Sequence, residues 1–556
     1  MIRRSFLGAR SAALAGVVLC AASATLGGQQ ITFERLLRPE REPQNWLTYS
    51  GNFANLRHSL LTEITPANAR DLELKWVWQS RSLEKFEATP LVVDGVLYTL
   101  QGPPVQGGYQ VVALDAVTGR PFWSLDYRPA DGARPCCGRV SRGLAVLGDT
   151  LYMGTIDARL IAIDAKTGTI LWNVEAAPLG QRNNEKYSIT HAPMVVKDKI
   201  VMGMGGGDFG VLGFIAAFDS KNGRELWRFN TIPRPGEPGN ETWAGDSWKT
   251  GGAGVWNSGA YDPEANLVYF GTGNPAPGWD GRTRRGDNLY SDSVVALDAD
   301  TGTLKWYYQF SPHDEVDYDS TQVPVLADID WQGRLRKVML WANRNGVAYV
   351  FDRITGEFLL GRPFVKVNWM DGFDAKGRPR RVHGKVPTAE GSYITPTFRG
   401  ATNWAPPSFS PKTGLFYVPA WENTAMVAIE GQAPRIPGVS GTGSLPQGQV
   451  SLTPNTKKED EGFGVIRALD PRTLEPKWDF KMNDITWAGV LTTASDVAFG
   501  GGKEGYFIAL DARTGALLWK AALGGQINSG PMSYAVNGKQ YVSVAAGSAL
   551  FTFGLR

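Results

Sequence analysis

A short motif recurs seven times along the chain and constrains its fold more than any other feature. Each copy has apolar residues, then Asp-x-x-Thr-Gly or a close variant, then apolar residues that usually end in Trp. The motif is typical of a β-hairpin, because the Asp and Thr side chains hydrogen-bond the local backbone and Gly adopts the left-handed turn conformation. The copies contain Asp115, Asp164, Asp219, Asp298, Asp352, Asp470 and Asp511.

Two further segments extend the repeat. Ser410 to Tyr417 forms a degenerate turn in the long interval between Asp352 and Asp470, and Leu74-Lys75-Trp76 fits a unit closed by the C-terminal strands. Seven clear units and one degenerate unit predict about eight small sheets, which must stack on one another to bury their faces. We therefore expect an all-β, eight-bladed β-propeller with the recurring Trp between blades. A β-solenoid is the alternative, although its repeat is usually much shorter than about 50 residues.

Composition excludes several classes of function. The chain has 556 residues, of which only 3 are Cys and 4 are His, so neither a disulfide-rich scaffold nor a Cys-x-x-Cys zinc frame is possible. The formal net charge of +3 gives no basic footprint for nucleic acid. The 66 Gly exceed the usual share and fit a protein of short strands and tight turns.

The N-terminus resembles an export signal. Arg3 and Arg4 precede an apolar stretch from Ala12 to Ala22, and Ala22-Ser23-Ala24 is a small-residue cleavage site. The stretch is too short to be a transmembrane segment. We expect residues 1–24 to be removed, by a Sec or a twin-arginine route, leaving residues 25–556 as one periplasmic propeller domain.

Adjacent cysteines interrupt the repeat. Cys136 and Cys137 are neighbours, and their Cα atoms are about 3.8 Å apart, below the roughly 4.4 Å that a relaxed disulfide needs. A bond between them would be a strained ring of the kind that persists where function retains it, and it would give an aromatic ligand a rigid surface. Two unlinked cysteines are the alternative.

Oxygen-bearing side chains also depart from the repeat. Asp208 follows a glycine run, Asn274 ends a Gly-Thr-Gly-Asn segment, and Asp317 and Asp319 lie in an acidic stretch. These residues offer only oxygen donors, which suit a hard cation such as Ca²⁺. They indicate a metal site only if the fold brings them together.

Taken together, these residues resemble the alcohol dehydrogenases that depend on pyrroloquinoline quinone (PQQ), of methanol and ethanol dehydrogenase type. Those enzymes are eight-bladed propellers. The resemblance rests on the paired Cys with Arg142 six residues after the first, the Gly-Thr-Gly-Asn that ends at Asn274, and the His-Asp-Glu-x-Asp that ends at Asp317. It covers nearly the whole chain after the signal.

The resemblance implies a PQQ site. A Cys136–Cys137 disulfide would cover one face of the flat quinone and the indole of Trp256 the other. The remaining cofactor-binding residues would be Arg142, Thr190 and the backbone of Gly206 and Gly207 for the carboxylates, Glu87 near the ring, and Asn403 and Trp487 in the pocket wall.

The resemblance also implies a metal ion and a general base. Asp208, Asn274, Asp317 and Asp319 would surround the ion, which polarises the C5 carbonyl of PQQ. Arg344 would add positive charge there, and Asp317 would take the alcohol proton while hydride passes to C5. An acid at Asp319 is the mark of family members that use a lanthanide, so a lanthanide is favoured over Ca²⁺.

Three positions depart from the family pattern. Asp208 replaces the usual Glu of the metal site, Gly254 replaces a Thr that donates to PQQ, and Val316 replaces a Trp in the acidic stretch. The last change would widen or reshape the substrate cavity. None of the three removes the base, the paired Cys or the stacking Trp.

The resemblance gives the partners as a small alcohol and an external electron acceptor. No Cys-x-x-Cys-His haem motif occurs in the sequence, so electrons would pass to a separate periplasmic cytochrome c. A homodimer is the family's common habit. Two alternatives are a PQQ sugar or polyol dehydrogenase of the same fold and a non-catalytic propeller scaffold.

Overall fold

The computed structural model of the protein describes residues 30–104, 106–133, 135–177, 187–430, 451–453 and 462–556. The predicted export signal, residues 1–24, lies outside these ranges. Before the first blade the chain forms one helix, α1 (Phe33–Leu37), and the strands β1 (His58–Ser59) and β2 (Leu72–Gln79). Within the described ranges, no helix is long and apolar enough to cross a membrane.

The first five blades are consecutive four-stranded antiparallel sheets. Their strands are β3 (Leu91–Val93), β4 (Val96–Gln101), β5 (Tyr109–Asp115) and β6 (Pro121–Tyr127); β7 (Ala145–Leu147), β8 (Thr150–Gly154), β9 (Arg159–Asp164) and β10 (Ile170–Glu175); β11 (Met194–Val196), β12 (Lys199–Gly203), β13 (Phe214–Asp219) and β14 (Glu225–Asn230); β15 (Ala260–Asp262), β16 (Leu267–Gly271), β17 (Ser293–Asp298) and β18 (Leu304–Gln309); β19 (Val325–Trp331), β20 (Arg334–Ala342), β21 (Val347–Asp352) and β22 (Phe358–Pro363).

The last three blades are less regular. Blade six contains β26, β27, β30 and β31, blade seven β32 to β35 with β1 added in parallel, and blade eight β36, β37, β38 and β2. The remaining strands are β23 (Met370–Phe373), β24 (Pro379–Arg381), β25 (Ser392–Ile394), β26 (Ser408–Ser410), β27 (Leu415–Glu422), β28 (Met426–Ile429), β29 (Ser451–Thr453), β30 (Phe463–Leu469), β31 (Pro476–Lys481), β32 (Leu491–Thr493), β33 (Val497–Gly501), β34 (Tyr506–Asp511), β35 (Leu517–Ala522), β36 (Met532–Val536), β37 (Lys539–Ala546) and β38 (Ala549–Leu555). Short 3₁₀ helices span Pro39–Arg41, Ala69–Asp71, Gly207–Phe209, Asn240–Thr242, Ser247–Thr250 and Gly281–Thr283.

The repeated motif is the turn between the third and fourth strands of a blade. In blade four, Asp298 Oδ1 accepts hydrogen bonds from the backbone N–H of Thr301 and from its hydroxyl, both at 3.0 Å. Gly302 follows with φ of +71°. A Cβ at Gly302 would lie 2.4 Å from the Trp227 ring of blade three, so this turn needs glycine for packing as well as for conformation. The expectation that the recurring Trp lie between blades is confirmed.

The ring closes where the termini meet. β2 pairs with β38, so the N-terminal strand is the outer strand of blade eight, as the early Trp76 suggested. The Trp76 indole N–H then donates to the Ala116 carbonyl of blade one at 3.2 Å. Closure of this kind leaves blades one and eight with neighbours on both sides.

The degenerate turn after Ser410 does not supply a separate blade, so that part of the prediction is wrong. It joins β26 to β27, and β27 pairs with β30, which carries Asp470. Both segments belong to blade six. The number eight is nevertheless right, because the terminal strands form the eighth blade.

Antiparallel order gives the ring two different faces. The crossovers into each first strand and the turns between second and third strands lie on one face, since neighbouring strands alternate in direction. The turns between third and fourth strands lie on the opposite face. We call these the crossover face and the turn face.

Candidate functional site

Every residue that the sequence predicts for the site lies on the crossover face. Crossovers into the first strands of blades carry Glu87, Cys136, Cys137, Arg142, Thr190, Trp256, Asp317, Asp319, Asn403 and Trp487. Turns between second and third strands carry Gly206, Gly207 and Asp208 after β12, Asn274 after β16 and Arg344 after β20. Residues far apart in the sequence therefore meet around the propeller axis because equivalent loops of successive blades converge there.

Arg142 links three of these loops. Its Nη2 lies 2.9 Å from Oε2 of Glu87, and both side chains are buried. Its Nη1 donates to Thr190 Oγ1 and to the Trp256 carbonyl, each at 3.1 Å. Burial raises the pKa of Glu87, although the positive charge of Arg142 opposes the shift. A buried ion pair of this kind holds its loops in place because either charge alone would be strongly destabilising.

Indole rings pack around Arg142 and behind one another. The Arg142 guanidinium carbon is 5.3 Å from the centre of the Trp256 ring and 5.4 Å from that of Trp404. Trp404 stacks on Trp487 with ring centres 4.2 Å apart, and Trp421 meets Trp487 edge-on at 4.3 Å. The sequence predicted Trp256 and Trp487 but missed Trp404 and Trp421. Both belong to the Trp residues outside the repeat, which is the signal that could have identified them.

A disulfide joins Cys136 to Cys137. Both sulfur atoms and a carboxylate oxygen of Asp208 lie within 4.8 Å of one another. Because the sulfurs are bonded to each other they are not thiolate ligands, so the disulfide borders the oxygen donors and does not add to them.

The predicted metal ligands form one connected chain of contacts. The Asn274 side chain lies close enough to Asp208 to oppose the rise in the pKa of that carboxyl group. The backbone N–H of Asn274 donates to Asp319 Oδ1 at 2.8 Å, and Arg344 Nη1 donates to Asp319 Oδ2 at 2.6 Å. Arg344 Nη2 lies 3.4 Å from Asp317 Oδ2. The fold thus places the four oxygen-bearing side chains and Arg344 in one network of neighbouring loops, and their role as metal ligands remains a prediction.

Burial and mutual repulsion raise the pKa of two of these carboxyl groups. Burial raises the pKa of Asp208 to about 6, and the negative charge of Asp319 adds to the shift while Arg344 opposes it. Burial also raises the pKa of Asp317 well above its usual value, with Arg344 again opposing. Three carboxylates face one guanidinium, so the cluster has excess negative charge and favours a cation.

The glycine run before Asp208 has a packing role that the sequence did not predict. A Cβ at Gly254 would lie 3.0 Å from the Gly207 backbone nitrogen, and a Cβ at Gly205 would lie 3.2 Å from the Ser188 carbonyl. Gly206 has φ of +113°, a left-handed conformation that favours glycine. These glycines let two loops of the site approach each other, which also accounts for Gly254.

The donor set fits PQQ. Within the described part of the chain, Arg142 Nε and Trp404 Nε1 are buried atoms without a hydrogen-bond partner. Buried donors usually have acceptors, so these two point to a missing acceptor such as a carboxylate or a quinone oxygen. The disulfide and Trp256 supply the surfaces that a flat ring needs.

The donor set also fits a hard cation. Asn274 Nδ2 donates to the Pro275 carbonyl at 3.2 Å, which leaves Oδ1 as the ligand atom. Both oxygens of Asp319 accept hydrogen bonds, but a carboxylate has about four acceptor sites and can still bind an ion. In the described part of the chain, the carboxylate oxygens of Asp208, Asp317 and Asp319 do not all lie within 4.8 Å of one another, and Arg344 pairs with two of these residues.

Comparison with known proteins agrees with the geometry. The chain matches the family described as "PQQ: Glucose/ethanol/alcohol dehydrogenase, beta-propeller domain" at residues 46–367 and 449–542. Quinoprotein alcohol dehydrogenase PedH of Pseudomonas putida is 38% identical over 545 residues, covering 93% of this chain and 88% of that protein. The lanthanide-dependent methanol dehydrogenase of Methylacidiphilum fumariolicum is 34% identical over 546 residues, covering 92% and 86%.

Solved structures give the same result. A europium-containing methanol dehydrogenase superposes with a TM-score of 0.85 at 30% identity, covering 94% of this chain and all (100%) of that chain. The quinohemoprotein alcohol dehydrogenase from Comamonas testosteroni superposes with a TM-score of 0.84 at 36% identity, covering 92% and 80%. The similarity therefore extends along nearly the whole propeller.

Proposed function

The chain belongs to the family of PQQ-dependent alcohol dehydrogenases, and from this premise we propose that it oxidises a primary alcohol to an aldehyde with Asp317 as the general base. It is a PQQ-dependent enzyme of a metal-using family, so the scaffold alternative is wrong. The observation that carries the proposal is the contact between Asp317 and Arg344 beside the oxygen donors of Asp208, Asn274 and Asp319.

The residues around Arg142 would hold PQQ. Arg142 and Thr190 would bind its carboxylates by charge-assisted and neutral hydrogen bonds, and the backbone of Gly206 and Gly207 would add donors. Trp256 would stack on the ring opposite the Cys136–Cys137 disulfide, while Asn403 and Trp487 would form the wall. Glu87 would keep Arg142 oriented through their 2.9 Å contact.

When bound, PQQ would supply a two-electron acceptor for the hydride of the alcohol, and the metal ion would supply a Lewis acid. Asp317 holds Oδ2 toward Arg344, which leaves Oδ1 to take the hydroxyl proton. Its backbone is in the left-handed conformation, with φ of +61°, and this directs a short side chain from a tight loop. Arg344 fixes the carboxylate and adds positive charge.

We propose a lanthanide as the metal, with Ca²⁺ as the alternative. Asp319 is a third carboxylate in the cluster, and it is close enough to Asn274 and Arg344 to bond both. A trivalent ion compensates three carboxylates more fully than a divalent ion does. Relatives named for a lanthanide and for europium add support.

We also propose that the enzyme works in the periplasm. The support is the export signal that the sequence predicts at residues 1–24, and the mature chain would be a single propeller domain from residue 25. Electrons would leave one at a time to a soluble cytochrome c.

A reconstitution assay tests the activity. Purified protein is loaded with PQQ and either Ca²⁺ or La³⁺, and dye reduction is followed with short alcohols and with sugars. We expect dye reduction with primary alcohols. Preference for sugars would favour the sugar dehydrogenase alternative, and inactivity with both ions in protein shown to bind PQQ would defeat the proposal.

An Asp319→Ala variant tests the metal. We expect it to lose the La³⁺-dependent rate and to keep any Ca²⁺-dependent rate, because it removes the added anionic ligand. Direct titration of metal-free protein with La³⁺ should show the matching loss of affinity. Asp300→Ala, on the turn face, is the control and should change neither. Equal loss with both ions would refute the lanthanide assignment.

A further inference from the structure

The guanidinium group of Arg399 has no role in the mechanism proposed above. It lies in the crossover into β26, between Phe398 and Gly400, and its side chain is half-buried. Its backbone N–H donates to Thr397 Oγ1 at 3.2 Å, and its carbonyl accepts from Asn403 Nδ2 at 3.0 Å. These bonds fix the loop at the edge of the cofactor cleft.

The loop lies directly against Arg344. Arg344 Nε donates to the Phe398 carbonyl at 2.6 Å, and a Cβ at Gly400 would lie 2.2 Å from Arg344 Cγ. The Ala401 backbone N–H also donates to the Arg344 carbonyl, at 2.9 Å. Arg399 is therefore held beside the arginine that contacts Asp317.

No carboxylate among the described residues pairs with the Arg399 guanidinium. Burial lowers the pKa of Arg399, and the positive charge of Arg344 lowers it further. Two neighbouring guanidinium groups repel each other, and a half-buried cation without a partner is unfavourable. By contrast, Arg142 has Glu87 and Arg344 has Asp319. A planar guanidinium with free donors matches a carboxylate in charge and shape.

An apolar wall adjoins this cation. Phe398 meets the Trp279 ring edge-on, with centres 5.5 Å apart. Phe398 packs on the buried cluster that contains Trp279, Val316 and Tyr318. Val316 is where the family pattern has Trp, so the wall is less filled here. Phe398, which is partly exposed and backed by this cluster, thus offers a carbon chain an apolar surface next to the positive charge of Arg399.

We propose that Arg399 binds a carboxylate that the chain itself does not supply. The substrates of this enzyme then include primary alcohols that carry a carboxylate group at the far end. The same chemistry would serve a carboxylate of PQQ, and the experiment separates the two sources. The substrate assignment rests on the proposed function.

The experiment compares matched alcohols in the holoenzyme. kcat/KM is measured by dye reduction for 1-butanol and for 4-hydroxybutanoate in wild type, Arg399→Gln and Arg399→Lys. We expect Arg399→Gln to lower kcat/KM for the charged alcohol about 10- to 100-fold, the usual range for losing a charge-assisted hydrogen bond. The neutral alcohol should change less than about 3-fold, and Arg399→Lys should recover part of the difference.

A second experiment measures binding and does not depend on catalytic turnover. PQQ affinity of each metal-loaded variant is measured by quenching of Trp fluorescence, and unreactive butanoate is titrated as a competing anion. Arg362→Gln, at an exposed ion pair with Glu475, is the control for a lost positive charge. Thermal melting establishes that each variant is folded.

Each outcome decides the assignment. A selective loss for 4-hydroxybutanoate, with unchanged PQQ affinity, assigns Arg399 to the substrate. Weaker PQQ binding with unchanged discrimination assigns it to the cofactor. No change in discrimination, PQQ affinity or butanoate binding overturns the proposal. A wild type inactive with every alcohol would defeat the proposed function, while the binding measurements would still test Arg399.

Discussion

The two faces of the propeller use aspartate in opposite ways. On the turn face, the Asp298 carboxylate accepts its hydrogen bonds from Asp300 and Thr301, no more than three positions away, and it lies near solvent. On the crossover face, Asp317 contacts Arg344, 27 positions away, and it is largely buried. The Asp298 carboxylate is hydrogen-bonded by its own turn, whereas Asp317 and Asp319 depend on residues of other loops.

The pKa directions express the same difference. Partial burial by itself would raise the pKa of Asp298, but hydrogen bonds from Thr301 and the backbone bring it below its usual value. Burial raises the pKa of Asp208 to about 6, and Asp319 adds to the shift. A turn aspartate therefore stabilises the fold, while a site aspartate is held at a cost that a bound cation would offset.

The largest expected effect is on kcat, which should fall when an aspartate of the crossover face is replaced but not when one of the turn face is replaced. Asp317→Asn keeps the shape of the side chain and removes the base, so we expect kcat to fall about 10²- to 10⁴-fold. Asp298→Asn, its match on the turn face, should keep kcat within about 2-fold because it lies outside the site. Both are measured by dye reduction in protein loaded with PQQ and metal. An Asp317→Asn rate above a tenth of wild type would contradict the role of Asp317.

Substitution of a glycine on the turn face should have the reverse effect: it should lower the stability of the fold and leave the catalytic rate unchanged. Gly302→Ala places a Cβ 2.4 Å from the Trp227 ring at a φ of +71°. Left-handed strain and overpacking together should lower the free energy of unfolding by about 2 to 4 kcal/mol, measured by denaturant titration. The rate per folded molecule should be unchanged.

Gly236→Ala is the control for that variant. Gly236 has φ of +91° but no heavy atom within 4 Å of an added Cβ, so it carries only the backbone cost. Equal destabilisation by the two variants would show that the contact with Trp227 contributes nothing, and that the turn needs glycine for conformation alone.

The fold was predictable because the turn of each blade is formed by a few residues that are adjacent in the sequence. Each Asp-x-x-Thr-Gly turn forms its bonds within three or four residues, so seven copies in the sequence predict seven blades. The eighth blade pairs β2 with β38, residues at opposite ends of the chain, and the sequence marks it only by Trp76. The turn after Ser410 was wrongly predicted to belong to a separate blade, because a turn pattern does not show which blade its flanking strands join.

The sequence predicted residues that the fold places on one face, but it did not predict the contacts between them. The family resemblance identified Glu87, Arg142 and Arg344, but neither the Glu87–Arg142 ion pair nor the contact of Arg344 with Asp319 follows from sequence spacing. The raised pKa of Asp317 comes from burial by loops of several blades. Trp404 and Arg399 lie in a crossover without a repeat, so only the assembled ring shows what they face.

The smallest expected effect is on the free energy of unfolding, which should change in opposite directions when Asp208 and Asp298 are replaced. In metal-free protein, Asp208→Asn removes a carboxyl whose pKa of about 6 in the folded state exceeds its unfolded value. Such a group loses stabilising effect as pH rises through that interval, because the unfolded chain releases the proton first. Asp208→Asn should therefore raise the unfolding free energy above pH 6 by about 1 to 2 kcal/mol, allowing for residual solvent contact.

Asp298→Asn should lower the unfolding free energy. The pKa of Asp298 is depressed in the folded state, so its carboxylate stabilises the fold above the unfolded pKa, and this stabilisation is lost in acid. Thermal melting from about pH 2 to 8 covers both pH windows, and a stabilising Asp298→Asn or a destabilising Asp208→Asn in metal-free protein would remove the distinction between the faces.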